Sequence, residues 1–168
     1  MSELKDDISY DIHASVAIEA SPEKVYAVAS DITRMGEWSP ENLGGEWTRG
    51  EPGAVGSRFL GRNRDGERVW TTECEVVAAD PGFRFAWVVL SPVDDADTSV
   101  WSFDIEPAGH GSLLTQRYVM RELRNGLRSL LEQMPPEKAE TFLEDRRAQL
   151  QDALRQTIEG IRKTVENR

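Results

Sequence analysis

Cysteine is nearly missing from this chain: Cys74 is the only one among 168 residues. An internal disulfide is therefore excluded, and a reducing, cytoplasmic setting is expected. Histidine is almost as scarce, with His13 and His110 far apart in sequence. No metal-ligand spacing exists, so no metal site and no cofactor is assigned. No apolar run approaches the roughly 20 residues that span a bilayer, so no integral membrane contact is expected. The opening MSELKDDISYD has neither a basic start nor an apolar stretch, unlike a secretory signal. Positive charge is also short, with 20 Lys+Arg against 30 Asp+Glu and a net charge of −10. The deficit lies in residues 1–120, which hold 10 basic and 21 acidic side chains; residues 121–168 hold 10 and 9. An acidic body argues against nucleic acid and anionic membranes as partners. The local cluster Arg58, Arg62, Arg64 and Arg68 flanks an Arg64-Asp65-Gly66-Glu67 turn and reads as a solvated hairpin tip.

What is present is periodicity. Ile12 to Ala20 alternates as a half-buried strand. Ser21-Pro22 then opens a helix, with Ser21 as N-cap and Pro22 at the first helical position. Val25, Tyr26, Val28, Ala29 and Ile32 supply its apolar face, and Gly36 and Pro40 break it. From residue 43 to 120 the pattern is strand and turn: Glu46–Arg49, Ser57–Asn63, Arg68–Ala79, Phe83–Leu90, Thr98–Glu106 and Ser112–Met120. The turn dipeptide Asp65-Gly66, then Asp80-Pro81-Gly82, and the Pro107–Gly111 segment punctuate them. Residues 127–134 suggest a short helix or ordered loop. Glu137 to about Glu166 places Leu143, Leu150, Leu154, Ile158, Ile161 and Val165 at helical spacing. Strands followed by one long helix predict an α+β fold: a curved antiparallel sheet wrapped on that helix.

Alternation also assigns faces. Trp70, Thr72, Cys74 and Val76 share a side, as do Phe83, Phe85, Trp87 and Val89. Trp101, Phe103 and Ile105 form another set, and Leu114, Gln116, Tyr118 and Met120 a fourth. An aromatic face interrupted by Thr72, Cys74, Gln116 and the Tyr118 hydroxyl suits a pocket for a mainly apolar ligand. The plainer alternative is that these rings fill a core.

The segments S-P-E-K-V-Y-A-V-A-S-D, M-G-E-W-S-P, G-S-R-F-L-G-R-N-R, T-x-E-C-E-V-V-A-A-D-P-G-F-R-F-A-W and W-S-F-D-I-E-P resemble the polyketide cyclase/dehydrase family of the START-like (SRPBCC) superfamily. The likeness is greatest to its actinobacterial type and covers residues from about 10 to 160. It implies a helix-grip fold in one domain, 1–168. A seven-stranded antiparallel sheet grips a long C-terminal helix, with two short helices after the first strand and a hydrophobic cavity beneath the helix. The function so implied is binding, transport or sequestration of a hydrophobic small molecule such as a lipid or polyketide. Two alternatives follow from the same family: a polyketide cyclase or dehydratase, and a protein-binding regulator of chaperone or ribosome type.

On that fold the resemblance places Trp38 at the cavity or its mouth. Trp47, Phe59, Trp70, Trp87, Trp101 and Tyr118 are expected to line or back the pocket, with Cys74, Phe85, Phe103 and Gln116 on the same face. Phe142, Leu143 and Arg146 are expected to cap it, with Leu127, Leu130, Leu131 and Met134 forming a lid or a fixed segment. Arg146, Tyr118 and Gln116 are the candidates for any catalytic role, with Asp31 behind them; Arg146 has as its alternative a pairing near Asp145 or with solvent. Asp31, Glu37 and Glu41 have no evident partner in sequence. The outward faces of the long helix are polar, at Gln149, Gln151, Arg155 and Gln156, and favour a monomer; a dimer through a sheet edge is the alternative.

Overall fold

The computed structural model describes residues 10–91, 97–120 and 131–167. The chain opens with strand β1 (Tyr10–Ile18), helix α1 (Pro22–Ala29) and a 3-10 helix (Ile32–Glu37). Strands β2 (Asn42–Arg49), β3 (Arg58–Asp65), β4 (Arg68–Asp80), β5 (Arg84–Leu90), β6 (Asp97–Ala108) and β7 (Gly111–Met120) follow. Helix α2 (Pro136–Glu166) comes last among the described elements. The seven strands form one sheet in the order β1-β7-β6-β5-β4-β3-β2, antiparallel throughout. This is the helix-grip architecture.

β1 and β2 are neighbours in sequence and yet the two outer strands of the sheet. The α1 and 3-10 pair carries the chain between them. Ser21 caps α1, its hydroxyl accepting from the Lys24 amide at 3.3 Å. The helix ends at Ala29 rather than continuing through Ile32 as its apolar periodicity suggests. Asp31 restarts the chain as a cap, its carboxylate accepting from the Thr33 amide and hydroxyl. Side-chain competition of this kind is how a short Asp interrupts a helix. Gly36 lies under β2: a Cβ there would sit 2.6 Å from the Leu43 carbonyl oxygen. Only glycine lets the strand cross so closely.

Register aligns the concave face into rungs. Trp47, Phe59, Cys74, Val89 and Ser99 form one; Val76, Trp87, Trp101, Tyr118 and Ile12 form a second. A third runs through Ala79, Phe85, Phe103, Gln116 and Ala14. Cross-strand pairs of this kind are the unit of sheet stabilisation.

α2, roughly 46 Å long for its 31 residues, presses Leu143, Leu150, Leu154, Ile158 and Ile161 onto that face. Polar contacts fix its position. The Tyr10 hydroxyl donates to the Leu143 carbonyl at 3.0 Å. The Gln151 amide donates to the His13 carbonyl at 2.7 Å, and the Glu19 amide to the Glu166 carboxylate at 2.8 Å. Helix side chains thereby satisfy parts of an edge strand that would otherwise be open to pairing.

One expectation is corrected. Phe83 precedes β5 in the turn, where its amide donates to the Asp80 carbonyl and its carbonyl accepts from Ile105; the ring is 65% exposed. The turn thus removes it from the aromatic row. The helix or loop expected at 127–134, and with it Leu127 and Leu130, lies outside the described residues up to position 130.

Candidate functional site

Between the concave face and the middle of α2 lies a cavity of about 110 Å³. Its sheet wall comes from all three rungs: Phe59, Cys74, Val89 and Ser99; Trp87, Trp101 and Tyr118; and Gln116. Trp70, Thr72, Gly61 and Asn63 extend the wall along β3 and β4, and Leu150, Ala153, Leu154 and Thr157 form the helix wall. Met35, Ser39, Glu41, Asn42 and Arg146 complete the described lining.

The rings pack closely. Trp87 and Trp101 are near-parallel, 9° between planes with centroids 6.3 Å apart; Trp101 and Tyr118 centroids are 4.3 Å apart. Phe59 meets Trp87 edge-on at 5.9 Å. Such tilted and offset pairs match the quadrupoles of the rings.

Most polar atoms in the wall hold one another. The Asn63 amide and the Cys74 thiol both donate toward the Thr72 hydroxyl, at 3.4 and 3.7 Å. The Thr157 hydroxyl donates to the Ala153 carbonyl. Gln116 is different: its Oε1 is buried with no hydrogen-bond partner, in a residue only 3% exposed. Buried carbonyl oxygens are rarely left unpaired.

At one end, Arg146 grips Glu41 with both outer nitrogens, at 2.6 and 3.1 Å. Arg146 also donates to Gln149, which in turn donates to Asp65 at the β3–β4 turn. Burial alone would lower the tendency of Arg146 to hold its proton, but the hydrogen bonds and charge of Glu41, with Asp65 and Tyr118, more than reverse it. Arg146 is thus a firm cation, already committed to a carboxylate. Glu41, not Asp145 or solvent, is its partner. For Tyr10, near the same helix turn, burial raises the phenol pKa above its usual value.

The structure brings Phe59, Trp70, Cys74, Trp87, Trp101, Gln116, Tyr118 and Arg146 to the cavity. Eight other expected residues do not line it, among them Leu143, which is buried in the core with its carbonyl accepting from Tyr10. Trp38 packs instead on α2, where a Cβ on Gly160 would come within 2.3 Å of the Trp38 Cβ. Trp47 stacks edge-on behind Phe59. Phe85 and Phe103 are fully buried core, as their rung lies deeper than the cavity except at Gln116. Leu131 is buried, and Met134 and Phe142 pack partly buried against the core. Met35 lines it from the 3-10 helix, Ser39 and Glu41 from the connection that follows, and Asn42 from the first position of β2, where no alternation reveals which way a side chain points. Among the described residues no group of three or more His, Cys, Asp or Glu could hold a metal. No described helix is long and apolar enough to cross a membrane.

Residues 10–164 match the family model described as polyketide cyclase/dehydrase and lipid transport. The polyketide-cyclase-like protein Cgl2372 of Corynebacterium glutamicum is 33% identical, with 95% of this chain and 93% of that chain covered and a TM-score of 0.66. The di-domain aromatase/cyclase StfQ of the steffimycin biosynthetic pathway is 14% identical; 98% of this chain covers 53% of it, with a TM-score of 0.75. Major latex-like protein 151 of Panax ginseng is 15% identical, covering 93% and 97%, with a TM-score of 0.64. The last two likenesses speak for the fold alone. No curated protein matches the chain.

Proposed function

Since the chain belongs to the polyketide cyclase/dehydrase and lipid-transport family, we propose that it binds a hydrophobic small molecule between the sheet and α2. The observation that carries this reading is the cavity itself: a space of about 110 Å³ walled by Phe59, Trp70, Trp87, Trp101 and Tyr118. Apolar cavities of comparable size, about 150 Å³, take up benzene. The cyclase reading draws on the family description and on the same cavity. It ranks second because the ionisable pair in the wall, Glu41 and Arg146, is engaged with itself; binding needs no free acid or base. The single cysteine and the polar outward face of α2 support a cytoplasmic monomer.

Trp70, Trp87 and Trp101 report on the cavity directly. Titration with toluene is expected to change tryptophan emission saturably and to raise the melting temperature. Emission and melting temperature that stay flat up to the solubility of toluene would overturn the reading.

A further inference from the structure

We infer that the preferred occupant is a neutral single-ring compound carrying a hydrogen-bond acceptor, an aryl ketone being the simplest case, with Gln116 Nε2 as the donor that selects it. The inference rests on the binding reading above and adds the chemistry of the ligand.

Gln116 interrupts an otherwise apolar rung between Phe103 and Ala14, and it lines the cavity. The two ends of its amide differ. Oε1 is sealed in packed protein without a partner. Nε2 is neither sealed nor bonded among the described residues, so it is the end that meets the cavity. Turning the amide over would seal an NH2 group with two unmet donors in place of one unmet acceptor, a costlier arrangement. Trp87 and Trp101, paired on the adjacent rung, also line the cavity. Their indole nitrogens are likewise neither sealed nor bonded among the described residues, and an indole N–H can only donate. A hydrocarbon filling the space leaves the Gln116 N–H groups unmet, whereas a ligand carbonyl accepts from them. The second observation is charge. Arg146 is the only cation among the described lining residues, and Glu41 occupies it with both carboxylate oxygens. A carboxylate ligand would have to shed its water for neutral donors alone, in a chain of net charge −10, so a neutral acceptor is favoured. The third is size. About 110 Å³ suits roughly one six-membered ring with a short substituent.

Calorimetric titration of the full chain with acetophenone, α-methylstyrene, pyrrole and benzoate separates the terms. α-Methylstyrene has the shape of acetophenone with CH2 in place of the carbonyl oxygen, pyrrole offers only a donor, and benzoate is a charged acceptor. Gln116→Met keeps the length and removes the donor. It should weaken acetophenone relative to α-methylstyrene by about five- to tenfold, the worth of one net hydrogen bond, and leave pyrrole no weaker. Benzoate is expected to bind the wild-type chain more weakly than acetophenone. The infrared carbonyl stretch of acetophenone held by the wild-type chain should lie below its frequency in hexane, because an accepted hydrogen bond weakens the C=O bond, and should rise in Gln116→Met. A bound stretch at the hexane frequency overturns the inference while leaving the binding reading standing, and this measurement needs no variant. So does benzoate binding tightest, or pyrrole losing affinity in Gln116→Met while acetophenone keeps it. A lowered stretch and an affinity ratio that both survive Gln116→Met remove Gln116 from the role. If none of the four binds, the binding reading falls as well.

Discussion

Arg146 and Glu41 are 105 positions apart and meet in a bidentate pair whose side chains are 23% and 17% exposed. A pair this sheltered is worth more than a surface ion pair and less than a fully desolvated one. Arg146→Ala should therefore cost about 1–2 kcal/mol, because it leaves Glu41 half-buried and unmatched. Glu41→Gln keeps an acceptor and the shape and should cost less. Urea unfolding of both, with the double mutant, checks the order; additive losses would show that the two side chains are not coupled. No sequence pattern could have paired them. Glu41 belongs to a turn without periodicity, and Arg146 to a helix whose nearer acid is Asp145. Gln116, by contrast, was legible as a cavity residue, because strict alternation in β7 sets its face. Alternation does not give depth, which is why Phe85 and Phe103, on the same face, turn out to be core.

Among the elements, α2 and the 3-10 connection lock together at Trp38 and Gly160. Glycine inside a helix normally costs about 1 kcal/mol relative to alanine, so Gly160→Ala would stabilise an isolated helix. Here the added Cβ meets the Trp38 Cβ at 2.3 Å, and the backbone of neither side can yield without moving the helix off the sheet. Gly160→Ala should destabilise by about 1–3 kcal/mol, the usual cost of overpacking. Trp38→Gly, which removes the Cβ that is met, should recover part of that loss in the same chain, even though truncating Trp38 costs about 3–5 kcal/mol by itself. Denaturant midpoints for the three variants test this, and a stabilising Gly160→Ala would refute the lock. The strands themselves were legible from β3 to β7, since Asp65-Gly66, Asp80-Pro81-Gly82 and Pro107–Gly111 impose turns through local chemistry. The start of β2 was not. Asn42-Leu43-Gly44-Gly45 has little strand propensity and is drawn into the sheet by pairing with β3 at Gly61–Asn63.

At the scale of the whole molecule, the cavity joins stability to occupancy. A ligand at a hundred times its Kd adds about 2.7 kcal/mol to the folded state, which for a chain of this size raises Tm by roughly 5–10 °C. Ala153 offers a way to imitate that gain without a ligand. It lies in the helix wall of the cavity, half-buried. Leucine is nearly as good a helix former as alanine, and its added carbons enter existing volume rather than packed core. Ala153→Leu should therefore raise stability by about 1 kcal/mol in the empty protein, through the apolar area it buries. The same carbons take space that a bound ring would need. Toluene or acetophenone, at concentrations that shift the wild-type Tm, should shift that of Ala153→Leu by less than half as much. Paired melting curves with and without ligand read both effects. A variant that gains stability yet keeps the full ligand-induced shift would mean that the ligand sits somewhere other than beneath α2.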